Sequence, residues 1–189
     1  MTGKTHRTLG IASGTLACAA YAQNSYSPST LFASLAISYF GSLLPDIDRS
    51  ASLIWESLPF GKTAGKVVDP FFKHRNITHS LLGLALFNFA VLGLTRIFPD
   101  YWLIDANVLF LVFFVSYGSH LVADMFTEEG IPLFFPMKKM IGIPPKPFES
   151  VRIVTGKWFE NLIIYPAVNV GLILVIVLYW QKIRVILFK

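Results

Sequence analysis

The sequence predicts an all-α membrane bundle of about five transmembrane helices with two long interfacial connectors. Composition is the first reason. The 189 residues are 54% hydrophobic and only 14% charged, with mean hydropathy +0.58, whereas a soluble domain is usually about a quarter charged. Apolar runs near the roughly 20 residues needed to cross a bilayer are the second. The third is that Lys and Arg collect between these runs, as cytoplasmic loops do. The lone cysteine, Cys18, excludes an intrachain disulfide and a thiolate-rich metal site.

The runs follow in order. Leu9–Ala22 is short and rich in small residues, and Thr30–Leu44 is short as well. Both need flanking residues that snorkel, or burial against other helices. His79–Phe98, Tyr101–Ala123 and Leu162–Trp180 are the clearest spans. A signal peptide is the alternative for the first run, but its apolar core is weak and cleavage would discard His6. The whole chain, 1–189, therefore reads as a single integral-membrane domain. The connectors 45–78 and 124–161 carry Gly and Pro in "LPFGKTAGK" and "IGIPPKPFES", so neither forms one continuous helix. "ASLIWESLPF" and "PLFFPMKKMI" mix apolar and basic residues in the manner of interfacial segments.

Orientation follows from the basic residues. Lys4 and Arg7 precede the first run, and Arg49, Lys62, Lys66, Lys73 and Arg75 occupy the first long connector. Lys138, Lys139, Lys146, Arg152 and Lys157 occupy the second. "QNSYSPS" carries no charge, and "RIFPDYW" sets Arg96 against Asp100. The N-terminus and both long connectors are expected in the cytoplasm; only Lys182, Arg184 and Lys189 of the tail run against this. The net charge of +5 then reflects topology and attraction to lipid, and no nucleic-acid motif is present.

Alternation of the helices brings the titratable residues to the cytoplasmic face. His6 precedes the first helix, and "LLPDID" ends the second with Asp46 and Asp48. His74 and His79 of "HRNITHS" open the third, and His120 and Asp124 close the fourth. His120 and Asp124 stand at i and i+4, on one helix face. His74 and His79 are five apart, too far round a helix to converge if both are helical. His74 should come from a loop and His79 from a first turn, capped by Asn76 or Thr78 with Ser80. Asp46 and Asp48 flank a bend, so one can face the site while the other braces a histidine. Imidazole with carboxylate suits zinc, manganese or iron, and the seven groups suffice for one ion with supporting residues, or for two ions. Arg75 beside them is a clamp for phosphate or carboxylate. Arg75 and Asp48 are the residues expected to serve catalysis. Glu128 and Glu129 read as solvated, and "SVRIVTGKWFE" as a turn into the last helix.

"LLPDID", "HRNITHSLL" and "SHLVADMFTEEGIPLFFP", with "THRTLG" and "RIVTGKWFE" near the ends, resemble the YdjM-like (YbcI/YdjM) inner-membrane family, described as metal-dependent hydrolases. The resemblance covers about residues 5–165. It implies a polytopic bacterial inner-membrane protein with a metal-binding face. The positions it carries over are Asp46, Asp48, His74, Arg75, Thr78, His79, His120 and Asp124, and less securely His6.

The leading functional expectation is a hydrolase with one or two divalent ions, zinc or manganese. It would cut a phosphoester of a lipid or lipid-linked substrate at the inner leaflet, with membrane lipids as its partners. A non-catalytic membrane protein with a structural or regulatory metal is the alternative. A metal transporter is disfavoured, because a pathway needs ionisable groups near mid-membrane and only Asp105 lies elsewhere in a predicted span.

Overall fold

A computed structural model describes residues 1–21, 27–68, 77–97 and 102–187. Among these residues the regular structure is helical, with only two isolated bridges, Thr127 to Ile153 and Ile131 to Ile141. The helices are α1 (Gly3–Tyr21), α2 (Pro28–Leu43), α3 (Leu53–Glu56), α4 (Gly61–Val68), α5 (Leu81–Thr95), α6 (Ala106–Met125), α7 (Tyr165–Leu178) and α8 (Trp180–Leu187). Among the described residues three stretches are long and apolar enough to cross a membrane: Pro28–Asp48, Ala106–Met125 and Glu160–Leu178. The first of these continues α2 through a 3-10 segment, Leu44–Asp48, and the last begins with a π-helical turn, Glu160–Ile164, before α7.

The remaining two predicted runs are helices of another kind. The third run of the sequence shrinks to the 15 residues of α5, about 22 Å long, which is short of a hydrocarbon core. α1 has 19 residues, but its length is diluted by Thr, Ser and Gly. It is buried instead, along Thr5, His6, Thr8, Gly10, Gly14, Thr15 and Cys18.

Small residues explain that burial. A Cβ on Gly10 would meet Ser42 Cβ at 2.1 Å, and one on Gly14 would meet Ser38 Oγ at 2.0 Å and Ser116 Oγ at 2.6 Å. Ser116 Oγ on α6 donates to Gly10 O at 3.1 Å. Gly and Ser at four-residue spacing let α1, α2 and α6 approach backbone to backbone, the usual packing of helices that have no water to expel. Around this seam sit Cys18, Leu31, Val108 and Val112, and farther along Leu84, Phe113, Tyr117, Leu121 and Ile131. By contrast α7 buries no residue. It shows its apolar length outward, as a lipid-facing helix does.

The two ends of the bundle are distinct. At one, Ser27 Oγ and Thr30 Oγ1 donate to Leu103 O at 2.6 and 3.1 Å, and Lys182 Nζ donates to Ala19 O at 3.2 Å. That last bond gives the tail lysine a local partner, the carbonyl end of α1, where positive charge is favoured. Asp105 also belongs to this end. It is the N-cap of α6, accepting from Asn107 N and Val108 N at 2.9 and 3.2 Å, and so lies at a helix end, outside the span predicted to contain it. The other end gathers the start of α1, the 3-10 segment after α2, the approach to α5 and the end of α6.

The seam makes a sharp prediction. Gly14→Val should lower stability in detergent by about 1–3 kcal/mol through overpacking, read as an earlier thermal unfolding transition. Gly171→Val on α7, where nothing lies within 4 Å of the added Cβ, should unfold with wild-type protein.

Candidate metal centre

Each side chain at this end is placed by a local feature of the chain. His6 stands one turn into α1 and is 1% exposed. Pro45 turns the end of α2 into the 3-10 segment that carries Asp46 and Asp48. Another 3-10 turn, Ile77–His79, precedes α5, whose N-cap is Ser80, accepting from Gly83 N at 3.1 Å. His79 therefore sits just outside the helix, and Ser80, one of the expected caps, fills that role. His120 and Asp124 lie on one face of the last turns of α6. His79 and His120 are fully buried, Asp124 is 2% exposed and Asp48 is 1% exposed.

These groups converge. His6 Nε2 lies 3.1 Å from Asp124 Oδ1. His79 Nε2 lies 3.6 Å from Asp46 Oδ1 and 3.7 Å from Asp124 Oδ2. His120 Nε2 lies 3.8 Å from Asp46 Oδ1 and 3.7 Å from Asp124 Oδ2. Two sets, His6–His120–Asp124 and Asp46–His79–His120, each offer ligand atoms within 4.8 Å of one another. The rings of His6 and His120 stack at 3.6 Å and 12°, which fixes one imidazole against the other across two helices. The amino group of Met1 also donates to Asp124 Oδ1, so a cation already rests against this carboxylate.

The separations suit a metal better than hydrogen bonds. Ligand atoms about 2.0–2.1 Å from a tetrahedral ion stand about 3.4 Å apart, close to the observed 3.6–3.8 Å. His120 Nε2 is buried and makes no hydrogen bond among the described residues. Its Nδ1 lies 2.7 Å from Ser42 O. A carbonyl only accepts, so Nδ1 carries the hydrogen and Nε2 presents its lone pair to the cluster. His79 is oriented by its other nitrogen as well. Thr78 Oγ1 lies 3.2 Å from His79 Nδ1 and donates to Asp48 Oδ2 at 3.1 Å. Asp48 thus stands 3.7 Å away on the Nδ1 side of His79, where it braces the ring, while Asp46 faces Nε2. Tyr117 Oη donates to Thr78 O, tying this turn to α6.

Sequence reasoning read Glu160 as part of a turn into the last helix, with a substrate-facing role as the alternative; in the structure it supports the site from behind. It is fully buried, and Oε1 accepts from Thr2 N, Thr2 Oγ1 and Thr5 Oγ1, each at 2.7 Å. Its Oε2 accepts from Gly156 N at 2.8 Å. This clamp pins the start of α1, and with it His6, against the π-helical turn. An acidic residue just ahead of the last apolar run was the available signal. Glu128 and Glu129 are exposed, as expected. His74 and Arg75 lie outside the described residues. A cavity of about 480 Å³ reaches both Asp46 and Asp124 from the surface.

Comparison with known proteins gives the family. The family model of the YdjM inner membrane protein matches residues 1–187. The chain belongs to the YdjM family. Among similar proteins, the Bacillus subtilis (strain 168) protein named Uncharacterized protein YvsG is 34% identical over 164 residues, which is 87% of this chain and 88% of that protein. Inner membrane protein YdjM of Escherichia coli (strain K12) and that of Shigella flexneri are each 37% identical over 103 residues, 54% of this chain and 48% of theirs. The match thus spans about half of those two YdjM proteins. No solved structure matches the chain.

The bracing of His79 can be tested directly. Asp48→Asn should weaken zinc binding by about 10–100-fold, the usual cost of losing an orienting partner behind a ligand, without changing the number of ions bound at saturation. Competition against a chromophoric chelator measures both.

Proposed function

We propose that this YdjM family member is a metal-dependent membrane hydrolase that cuts a phosphoester of a lipid or lipid-linked substrate at the inner leaflet. The observation that carries the reading is the convergence of three buried imidazoles and two carboxylates beside an open cavity. A closed structural site needs no such access, whereas a hydrolytic one keeps a position for water and substrate.

In this reading His6, His79, His120, Asp46 and Asp124 hold a divalent ion, zinc or manganese. A bound ion of this kind supplies Lewis acidity and makes water a nucleophile near neutral pH. The chain contributes the rest. Asp48, through Thr78, keeps His79 in the ligating tautomer, and Ser42 O does the same for His120. Burial of the cluster among α1, α2 and α6 excludes bulk water and strengthens every charge interaction at the reacting phosphate. Arg75, in "HRNITHS", gives a planar two-pronged contact to the substrate's phosphate oxygens. His74 is a further candidate ligand from the same stretch. A non-catalytic metal protein is the competing reading, favoured by the number of protein ligands at hand.

The site end of the bundle faces the cytoplasm in this proposal, with the N-terminus inside, because most of the basic residues fall there. Reporter fusions at Gln23 and Lys138 should report opposite sides of the membrane. An external Lys138 would reverse the orientation.

The chemical claim separates from the structural one by mutation. His79→Ala and Asp124→Ala should lose both metal and lipid hydrolysis. Arg75→Lys should keep the metal and the fold yet lose much of the turnover, since an ammonium cannot replace a two-pronged contact. Variants compared at equal membrane accumulation make the reading decisive. Metal-replete wild type that hydrolyses no lipid phosphoester leaves the structural metal protein as the better account.

A further inference from the structure

An unsatisfied polar group lies in the seam between α5 and α6, away from the metal cluster. Asn88 stands at the middle of α5, the eighth of its 15 residues, in an otherwise apolar stretch. It is 3% exposed. Its side-chain oxygen, Oδ1, is buried and has no hydrogen-bond partner among the described residues. An acceptor left in that state costs free energy, and a leucine there would avoid the cost. A polar side chain at membrane depth is a functional signal.

Asn88 lines a cavity of about 420 Å³ between Leu84, Ala85 and Phe89 of α5 and Phe110, Leu111 and Phe114 of α6. The volume falls within the range of small-molecule sites, about 300–1,000 Å³. The α6 wall belongs to the candidate span Ala106–Met125. Phe89 and Phe114 are exposed, so the cavity opens toward lipid. Its chemistry selects the occupant. Apolar walls take hydrocarbon, and a lone acceptor takes a donor. That donor is neutral, since a charged group is costly at this depth. Asn88 lies about 12 Å along the helix from the N-cap Ser80, too deep for a phosphate headgroup held at the interface. A second copy presents a helix about 10–12 Å wide, too broad to reach an atom sealed between α5 and α6.

We infer that this cavity binds a lipid alcohol, a hydrocarbon chain whose free hydroxyl donates to Asn88 Oδ1. The binding claim stands on the cavity alone; the source of the alcohol rests on the hydrolase reading. In that reaction water's oxygen joins phosphorus and the bond from phosphorus to the lipid oxygen breaks. That oxygen leaves with one of water's protons, as an alcohol that stays in the bilayer.

The first test needs no activity. Protein in detergent is titrated with oleyl alcohol and with oleyl methyl ether, which lacks the O–H, and bound ligand is counted by native mass spectrometry. The alcohol should bind about tenfold more tightly, the scale of one buried hydrogen bond. Asn88→Leu should bind the two equally, and Ala85→Phe, which fills the cavity, should bind neither. Equal binding by wild type, or a preference that survives Asn88→Leu, overturns the inference. So does a wild-type dimer without alcohol preference that Asn88→Leu turns into a monomer, because the amide then serves a second copy. In the second test, wild type and Asn88→Leu are given dioleoyl phosphatidic acid and compared after the same amount of phosphate is released. Dioleoylglycerol should remain on wild type and be largely absent from the variant. Phosphate release that leaves no dioleoylglycerol on wild type overturns the cavity and keeps the enzyme. An alcohol preference without phosphate release from any lipid phosphoester keeps the cavity and overturns the enzyme.

Discussion

Burying an ionisable group at the edge of a membrane is costly unless something compensates it, and this fold does so repeatedly within one small volume. Three imidazoles and two carboxylates meet at the start of α1, the far ends of α2 and α6 and the approach to α5, nearly all of them out of reach of solvent. The rest of the structure is arranged to hold them there. The Gly–Ser seam lets three helices come close enough for His6 to stack on His120. The 3-10 segments on either side of the first connector aim Asp46 and His79 inward. Glu160 fastens the start of α1, so the most distant ligand in sequence is also one of the most firmly placed.

Supporting hydrogen bonds matter because of what the cluster lacks. His120 Nε2 has carboxylate oxygens around it at 3.7–3.8 Å but, among the described residues, no hydrogen bond. A buried acceptor left so is expensive, and a cation at the centre of the cluster satisfies it at once. His120 also belongs to both ligand sets. It has one lone pair to offer, since Nδ1 is committed to Ser42 O. An ion held by either set would claim that lone pair, which favours the proposal of one ion over two side by side.

Much of this was legible in the sequence, and the exceptions have physical causes. The i, i+4 pair of His120 and Asp124 and the alternation of helices suffice to bring the central residues together. The difference between Asp46 and Asp48 was not legible, because two residues around a 3-10 bend point according to its geometry, and sequence fixes only that they differ. His6 stayed ambiguous because its place depends on a seam of Gly10 and Gly14 with Ser38 and Ser116, helices apart in the chain. Asp105 read as part of a span, although Asp just ahead of a helical run is the preferred N-cap. The apolar run of α5 outlasts its helix, so composition suggested a longer span than the backbone forms. The Glu160 clamp needed the fold itself, since its partners Thr2 and Thr5 lie at the opposite end of the sequence.

The central claim is that these groups form one ion site. Element-resolved analysis of the purified protein, with metal and sulfur measured on the same sample, counts ions per chain without assuming an activity. The account predicts one transition-metal ion per chain, retained through a chelating column and lost when His120 is replaced by Ala. A chain that carries no metal after growth and purification in zinc- and manganese-replete conditions, or one whose His120→Ala variant keeps its ion, would contradict it.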